Sequence, residues 1–269
     1  LPGRYWKWRM HGAAVTLARQ LSATTPDLIL ASDMIDLTTL LALLPRSASR
    51  PPAALYFHEN QITYPWSPTD SDIALQRNHH YGFINYTSAL AADRIFFNSA
   101  FNRRAFLEAL PGFLQQFPDY QEIDSLRRIE QKSSVLSLGM DLQSLCIDPP
   151  PEKPDAAVLL WNHRWEYDKD PETFFRLLFR MQEESVDFHL IVLGESFRNS
   201  PPIFAEARQR LAGQLLHFGY ADSRKDYARL LWQADILPVT SRQDFFGGSV
   251  VEAIYCNCYP LLPNRLAFP

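Results

Sequence analysis

The chain has 269 residues, of which 46% are hydrophobic and 21% are charged, and its formal net charge at pH 7 is −4. This composition predicts a globular protein of one or two domains and excludes a broad electrostatic grip on a polyanion. Three cysteines are too few for a disulfide framework, and no run of eighteen apolar residues or signal peptide occurs. We therefore expect a soluble cytoplasmic protein with no membrane partner.

Short apolar runs alternate with helical patterns along the first half of the chain. The predicted strands cover residues 27–31, 53–58, 94–98 and 134–138, and the predicted helices cover residues 35–44, 73–90 and 100–110. This alternation is typical of a parallel sheet with helices on both faces. A proline-rich stretch then predicts a linker at 146–154, between an N-terminal domain of residues 1–145 and a C-terminal domain of residues 155–269.

The second half repeats the alternation. The predicted strands cover residues 156–161, 188–193, 215–219, 236–239 and 259–262, and the predicted helices cover residues 171–184, 203–211, 224–231 and 250–255. The two halves together predict an α/β protein of two Rossmann-like, doubly wound domains that face a cleft, with ligands at the C-terminal ends of the strands. Residues 1–4 are typical of the exit from a strand, and the chain stops soon after residues 259–262, so we expect further elements at both ends.

Two carboxylates, Asp244 and Glu252, flank a Gly-Gly-Ser turn between a predicted strand and a predicted helix. The N–H groups and the dipole at the start of that helix suit a phosphate group. Carboxylates accept hydrogen bonds from hydroxyl groups. We therefore predict that Asp244 binds the sugar and Glu252 the ribose of a nucleotide sugar. The alternative is an ordinary strand–loop–helix unit with acids on its surface.

Two cations, Arg164 and Lys169, lie on one short loop after the predicted strand 156–161. A diphosphate leaving group needs such neutralising charge as its bond breaks. The alternative is a solvated loop in which both cations pair with Glu166 and Asp168. A cation pair does the work of a divalent metal, so we expect no metal. The chain contains no phosphate-binding G-x-x-x-x-G-K-[ST] loop and no G-x-G-x-x-G dinucleotide fingerprint.

Two further segments carry candidate binding residues. Near the N-terminus, cations alternate with aromatic residues between Arg4 and Met10, a pattern that can contact phosphates and stack bases. The alternative is a partly buried aromatic anchor with snorkelling cations. In the second segment, four polar residues from His58 to Gln61 end a predicted strand. Four such side chains are costly to bury without partners, which argues against a simple core histidine.

The spacing of Asp244 and Glu252 resembles the E-x7-E motif of retaining GT-B glycosyltransferases of family 4, with Asp in place of the first Glu. Arg164 and Lys169 match the Arg and Lys of that family residue by residue. Segments 1–10, 56–61 and 96–102 narrow the resemblance to the tRNA-queuosine α-mannosyltransferase family, over nearly the whole chain.

The resemblance implies a GT-B fold and transfer of mannose from GDP-mannose onto queuosine in the tRNA anticodon, with no further cofactor. It implies retention by front-face displacement, because no protein nucleophile is evident. The implied catalytic residues are His58, Asp244, Arg164 and Lys169. The donor-binding residues are Arg164, Lys169, Asp244, Gly247, Gly248, Ser249, Val250 and Glu252. The acceptor-binding residues are Arg4, Trp6, Lys7, Trp8, Arg9, Glu59 and Asn60. The alternatives are a family 4 enzyme with a lipid or polysaccharide acceptor, and a non-catalytic module that binds a nucleotide sugar.

Overall fold

A computed structural model describes residues 5–24, 26–45, 50–67, 70, 72, 75, 79–195 and 200–269. The chain divides into two units, residues 1–138 and residues 139–269. The proline-rich stretch 146–154 lies within the second unit. Each unit is built around one parallel sheet.

The N-terminal unit contains a four-stranded sheet in the order β1-β2-β3-β4. Its strands are β1 (Ile29–Ser32), β2 (Ala53–Phe57), β3 (Arg94–Phe97) and β4 (Ser133–Val135). The two central strands are apolar and bury most of their side chains, as expected for a sheet covered on both faces. Its helices are α1 (Trp6–Leu21), α2 (Leu37–Leu43), α3 (His79–Ala91), α4 (Ala100–Leu114) and α5 (Ser125–Gln131).

The C-terminal unit contains a five-stranded sheet in the order β7-β6-β5-β8-β9. Its strands are β5 (Val158–Asn162), β6 (His189–Leu193), β7 (Leu215–Gly219), β8 (Ile236–Pro238) and β9 (Tyr259–Leu261). Its helices are α6 (Pro171–Glu183), α7 (Ile203–Arg210), α8 (Arg224–Gln233) and α9 (Gly248–Tyr255), and short 3₁₀ turns cover Gln143–Leu145 and Tyr167–Lys169. The order reverses direction beside β5, which places the ends of β5 and β8 at the switch point where open α/β sheets bind ligands.

Aromatic residues fill the core of each unit. In the N-terminal unit, Phe57 and Phe97 stack across neighbouring strands with ring centroids 4.8 Å apart. In the C-terminal unit, Trp161 on β5 is fully buried and packs against Phe174 and Phe175 of α6. These contacts fix the strand ends from which the candidate site residues project.

Three helices differ from the sequence-based prediction. Helix α1 was not predicted, although it buries Met10, Ala13, Ala14 and Ala18 on one face. Helix α5 was also not predicted as an element. Helix α4 was predicted to end at Leu110, before a proline, but continues to Leu114 with Pro111 inside it. There the buried Phe113 and Leu114 supply packing that offsets the backbone hydrogen bond lost at the proline. The predicted helix start at 73–78 lies largely outside the described residues.

Candidate functional site

Lys169 and Asp244 lie together in the C-terminal unit. The Lys169 ammonium, on the 3₁₀ turn after β5, is 3.1 Å from Oδ1 of Asp244 on the loop after β8. It is also 3.2 Å from Oδ2 of Asp168 and donates a 2.6 Å hydrogen bond to the Gln243 carbonyl. Because Lys169 and Asp168 are buried, this cluster of one cation and two carboxylates sits in a poorly solvated place. The structure thus joins two residues that the sequence assigned to one donor site.

The two loops are clamped to each other. The Arg242 amide donates to the Asp168 carbonyl at 2.8 Å, and the Thr240 hydroxyl donates to the Lys169 carbonyl at 2.8 Å. The Arg242 guanidinium pairs with Asp170, whose side chain also caps the start of α6. Lys169 and Asp244 are therefore positioned by backbone contacts between the loops.

Arg164 lies on the same loop in a different setting. Its side chain is half exposed and pairs with Glu166, with Nη2 3.2 Å from Oε2. Burial raises the pKa of the Glu166 carboxyl, against the opposing effect of the Arg164 charge. The loop is anchored beside Arg164 by Trp165, which is buried and stacks on Phe204 of α7 at 4.3 Å. Arg164 is thus an exposed side chain on a firmly held loop.

The start of α9 presents backbone N–H groups. Gly247 precedes the helix with φ +80°, a left-handed conformation, and a Cβ at this position would lie 3.0 Å from the Phe268 ring. The first N–H groups of a helix have no acceptor within the helix, and no side chain caps this one. Gly247, Gly248, Ser249 and Val250 form a helix start of the kind that binds phosphate, although the Val250 N–H already donates to the Gly247 carbonyl at 2.9 Å.

Glu252 on α9 joins a buried polar network. Its Oε2 accepts a 2.6 Å hydrogen bond from the Tyr227 hydroxyl, and its Oε1 is 2.9 Å from the Arg224 guanidinium. Burial, and then the hydrogen bond to Glu252, raise the pKa of Tyr227, so the hydroxyl stays protonated. Asn162, at the end of β5, donates to the Tyr227 hydroxyl at 2.9 Å and to the Ser249 carbonyl at 3.1 Å. The network ties β5, α8 and the start of α9 together.

A cavity of about 310 Å³ adjoins this network. It opens at the C-terminal ends of β5, β6 and β7, and its lining includes Asn162, Gly194, Tyr220, Asp222, Arg224 and Tyr227. Gly194 is required there: its φ is +130°, and a Cβ would lie 2.0 Å from the His163 carbonyl oxygen. The sequence analysis missed this cavity, because its lining comes from strand ends, loops and the start of α8, which share no motif spacing.

His163 is another part of the candidate site to which the sequence analysis assigned no role. The side chain is buried directly after β5, and its Nδ1 lies 3.2 Å from the Ser249 hydroxyl at the start of α9. Burial lowers the pKa of His163 to about 4, although the charge of Asp244 acts to raise it. The imidazole is therefore neutral at pH 7. Its place in the motif, next to Arg164, was the only available signal.

In the N-terminal unit, His58 follows β2 and pairs with Asp33, which follows β1. The His58 Nδ1 lies 2.5 Å from Oδ1 of the fully buried Asp33, which also accepts a 3.1 Å hydrogen bond from the His58 backbone N–H. Burial acts to lower the pKa of His58, but the hydrogen bond and charge of Asp33 outweigh it, so the pKa is raised. Of the His58 side chain, 42% is exposed.

Buried asparagines support the loop that carries His58. Asn60 is fully buried, and its Oδ1 accepts from the Thr63 amide at 2.9 Å while its Nδ2 donates to Asn102 at 3.0 Å. Asn98 donates to the His58 carbonyl at 2.8 Å. Glu59 is half-buried and accepts a 2.8 Å hydrogen bond from Gln61. Asn60 thus holds the loop from within, and both ends of its amide already make hydrogen bonds inside the protein.

The segment with alternating cations and aromatics forms the first turn of α1. Lys7 pairs with Asp70 at 2.6 Å and with Asp72 at 2.5 Å. Trp6 packs against Tyr81 with ring centroids 5.0 Å apart. Arg9 is half-buried, and Trp8 is 54% exposed. Trp6 is therefore a partly buried aromatic anchor, as in the alternative interpretation of this segment. Trp8, in contrast, exposes an aromatic surface. Arg4 lies outside the described residues.

Two features are absent from the part of the chain that the structure describes. No helix there is long and apolar enough to cross a membrane. No group of three or more His, Cys, Asp or Glu side chains there is arranged to hold a metal ion.

Solved structures of glycosyltransferases share the fold. Sucrose-phosphate synthase from Thermosynechococcus elongatus superposes with a TM-score of 0.67 at 14% identity, over 97% of this chain and 61% of that one. A glycosyltransferase from Rickettsia africae gives 0.59 at 14% identity, over 99% and 65%. At this identity the likeness shows the fold alone, and the chain spans less than two thirds of either structure. The chain therefore has the GT-B fold of these glycosyltransferases, which confirms the predicted fold class.

The sequence comparisons are more specific. The model of the tRNA-queuosine alpha-mannosyltransferase N-terminal region matches residues 1–140. The tRNA-queuosine alpha-mannosyltransferase of Drosophila melanogaster is 34% identical over 278 residues, covering 100% of this chain and 72% of that relative. The chain belongs to the tRNA-queuosine alpha-mannosyltransferase family.

Proposed function

We propose that the protein is a retaining glycosyltransferase that moves mannose from GDP-mannose onto queuosine in the anticodon of a cytoplasmic tRNA. The observation that carries this proposal is the convergence, in a chain of this family, of Lys169, Asp244, Glu252 and the start of α9 at one edge of the C-terminal sheet. Those groups have the chemistry that a nucleoside diphosphate sugar requires: cations and N–H groups for phosphates, and carboxylates for hydroxyls.

Each part of the donor has a partner of suitable chemistry. The diphosphate contacts Lys169, Arg164 and the N–H groups at the start of α9. The ribose hydroxyls donate to Glu252, and the base occupies the cavity beside Tyr227 and Arg224. The mannose hydroxyls donate to Asp244. His58 is assigned to the transfer step as a group that binds a substrate hydroxyl, and no metal is needed, because the cations balance the leaving-group charge.

Donor binding requires an exchange of partners at Lys169. With Asp168 and Asp244, Lys169 forms a cluster that carries one positive and two negative charges. Such a cluster would repel a diphosphate as it stands. Sugar hydroxyls that donate to Asp244 loosen its hold on Lys169, and the ammonium then turns to the diphosphate. Arg164 makes the corresponding exchange from Glu166, at little cost because that pair is half exposed.

The transfer step conserves the configuration at the anomeric carbon. The acceptor hydroxyl oxygen forms a bond to that carbon on the face from which the diphosphate departs, and the bonding electron pair leaves with the diphosphate. The proton of the hydroxyl passes to the departing phosphate oxygen. Arg164 and Lys169 act by stabilising the negative charge that grows on that oxygen.

The acceptor residues we propose are Arg4, Trp8, Arg9 and Glu59, with Trp6 and Lys7 as their support. Exposed Trp8 offers a face on which a base stacks, and the arginines offer phosphate contacts. The overall charge of −4 means that RNA binding must be local.

The test is incubation of the purified protein with a panel of nucleotide sugars and with tRNA that contains or lacks queuosine. The nucleosides are then digested and analysed by mass spectrometry. The proposal is supported if the mass of queuosine increases by one hexose with GDP-mannose and with none of the other nucleotide sugars. Donor hydrolysis without any increment on tRNA would indicate another acceptor, such as a lipid or polysaccharide, and binding without hydrolysis would indicate a non-catalytic module.

A further inference from the structure

Asp33 is placed to control the ring of His58. One carboxylate oxygen, Oδ1, faces both the ring Nδ1 and the backbone N–H of His58. Asp33 itself is fully buried, and Asn85 fixes its backbone by donating a 2.9 Å hydrogen bond to its carbonyl. Both the rotamer and the main chain of His58 are thus held by a group that cannot move away.

A carboxylate only accepts hydrogen bonds, so the His58 nitrogen that faces Asp33 carries the proton. In the neutral ring the other nitrogen, Nε2, then has a free lone pair. Since 42% of the side chain is exposed, a ligand can reach the ring. In the neutral form, Nε2 is therefore the acceptor nitrogen of a partly exposed ring whose tautomer is set by Asp33.

We infer that Asp33 is a positioning residue that holds His58 in the Nδ1–H tautomer, so that Nε2 accepts a hydrogen bond from a substrate hydroxyl in the transfer reaction. The inference rests on the proposed function for the existence of that substrate. It adds a role for a residue of the loop after β1, which none of the sequence motifs contains.

Three charged groups act on His58. Asp33 after β1 and Glu59 on the same loop both favour the imidazolium, and Arg9 of α1 opposes it. The hydrogen bond and the charge of Asp33 raise the pKa of His58 above its ordinary value. An imidazolium does not accept a hydrogen bond, so transfer should rise with pH as His58 loses its proton.

Asp33→Asn tests the inference, because the amide keeps the volume and the acceptor oxygen but removes the charge. We expect NMR titration to show that the pKa of His58 falls by about one unit or more. The rise of kcat with pH should move to lower pH by the same amount, with a maximum lower by about tenfold, while KM for the donor changes little. Asp93→Asn, an exposed aspartate at the other end of the sheet, is the matched control.

In a His58→Gln background, Asp33→Asn should have no further effect on kcat, because the two residues act as one unit. Unchanged pKa and tautomer of His58 in Asp33→Asn would overturn the inference, as would an unshifted pH profile or full additivity with His58→Gln. Failure of the proposed function gives a different result, because the wild-type protein itself then transfers no hexose to tRNA at any pH. That result would also remove the proposed hydrogen bond from a substrate hydroxyl to His58, whatever the NMR titration shows.

Discussion

Lys169 Nζ lies 3.1 Å from Oδ1 of Asp244, so the cation and the carboxylate assigned to one donor are each other's partners in the free protein. Asp168 shares the same ammonium at 3.2 Å. A buried ion pair is costly to break by removing one partner, because the other charge is left unpaired. Removing one partner alone should therefore destabilise the loops. In the proposed donor site, the ammonium has to leave Asp244 before it can contact a diphosphate.

Arg164→Ala should separate catalysis from stability. Arg164 is half exposed, so its loss should leave the free energy of unfolding almost unchanged. Loss of a charge-assisted contact to the diphosphate is worth about 1.5–3 kcal/mol, or roughly a 10- to 150-fold fall in transfer rate. Steady-state transfer and urea unfolding are the measurements. The exposed Arg176→Ala on α6 is the control, and wild-type turnover in Arg164→Ala would contradict the assignment.

Lys169→Ala should lower both the transfer rate and the free energy of unfolding. It removes the proposed diphosphate contact and leaves the carboxylates of Asp168 and Asp244 without their shared cation, at a cost of about 3–5 kcal/mol in unfolding free energy. Addition of Asp244→Asn should restore part of the stability without restoring transfer. Normal transfer by Lys169→Ala would show that the lysine is structural only.

Glu252→Gln should weaken nucleotide affinity about 10- to 100-fold, because the isosteric amide loses the charge that binds the ribose hydroxyls. Tyr227→Phe removes one of the two groups that orient Glu252 and should weaken affinity by less, about tenfold or below. Calorimetry with GDP measures both. Glu206→Gln, on the exposed face of α7, is the matched control, and equal GDP affinity of Glu252→Gln and wild type would make Glu252 structural.

Much of the candidate donor site follows from motif spacing, since Arg164, Lys169 and Asp244 lie on loops that follow predicted strands and Glu252 lies on the next predicted helix. The sequence could not show that Lys169 and Asp244 pair, because that contact depends on the register of two loops. It also could not show Tyr227 and Arg224 around Glu252, or Asp33 beside His58. Those residues come from separate elements and carry no spacing signal of their own.

Stability should depend on pH through His163. Its pKa is about 4 in the folded protein against 6.5 for the free side chain, so between those values the unfolded state binds more protons. The unfolding free energy should therefore rise with pH from about 4 to 6.5 and lose about 3 kcal/mol as pH falls through that window. Urea unfolding of wild type and His163→Asn at several pH values measures this contribution.

His163→Asn should flatten the pH dependence, and Ser249→Ala should keep it, because that change removes only the hydrogen bond to Nδ1. Parallel curves for wild type and His163→Asn would mean that the buried imidazole does not titrate as its surroundings require.

RNA binding should depend on the basic residues near the start of the chain, Arg4, Lys7 and Arg9. The triple variant Arg4→Ala, Lys7→Ala, Arg9→Ala should lose tRNA affinity but keep donor hydrolysis. Each phosphate contact contributes somewhat less than one counterion to the salt dependence. Since Lys7 is already paired with Asp70 and Asp72, we expect the slope to fall by about two or less. An equal affinity and salt slope for variant and wild type would place the tRNA elsewhere.

The fold itself was largely predictable, because apolar runs mark the buried strands and caps such as Ser99 and Ser223 mark helix starts. Helix α1 was missed because the alternation of cations and aromatic residues in its first turn is a more conspicuous pattern than the small alanines on its buried face. Helix α4 passes Pro111 because tertiary packing outweighs local preference there. The errors at α1 and at Pro111 have the same cause, because burial decides the structure at these positions and a single sequence does not show which residues are buried.

The most direct test of the proposed function is the mass of the queuosine nucleoside recovered from tRNA after incubation of the protein with GDP-mannose labelled with ¹³C in the sugar. We predict that the labelled hexose appears on queuosine with the wild-type protein and with Lys225→Ala, an exposed control, and that it falls sharply with Arg164→Ala. Wild-type protein that consumes GDP-mannose but leaves queuosine at its original mass would contradict the proposal.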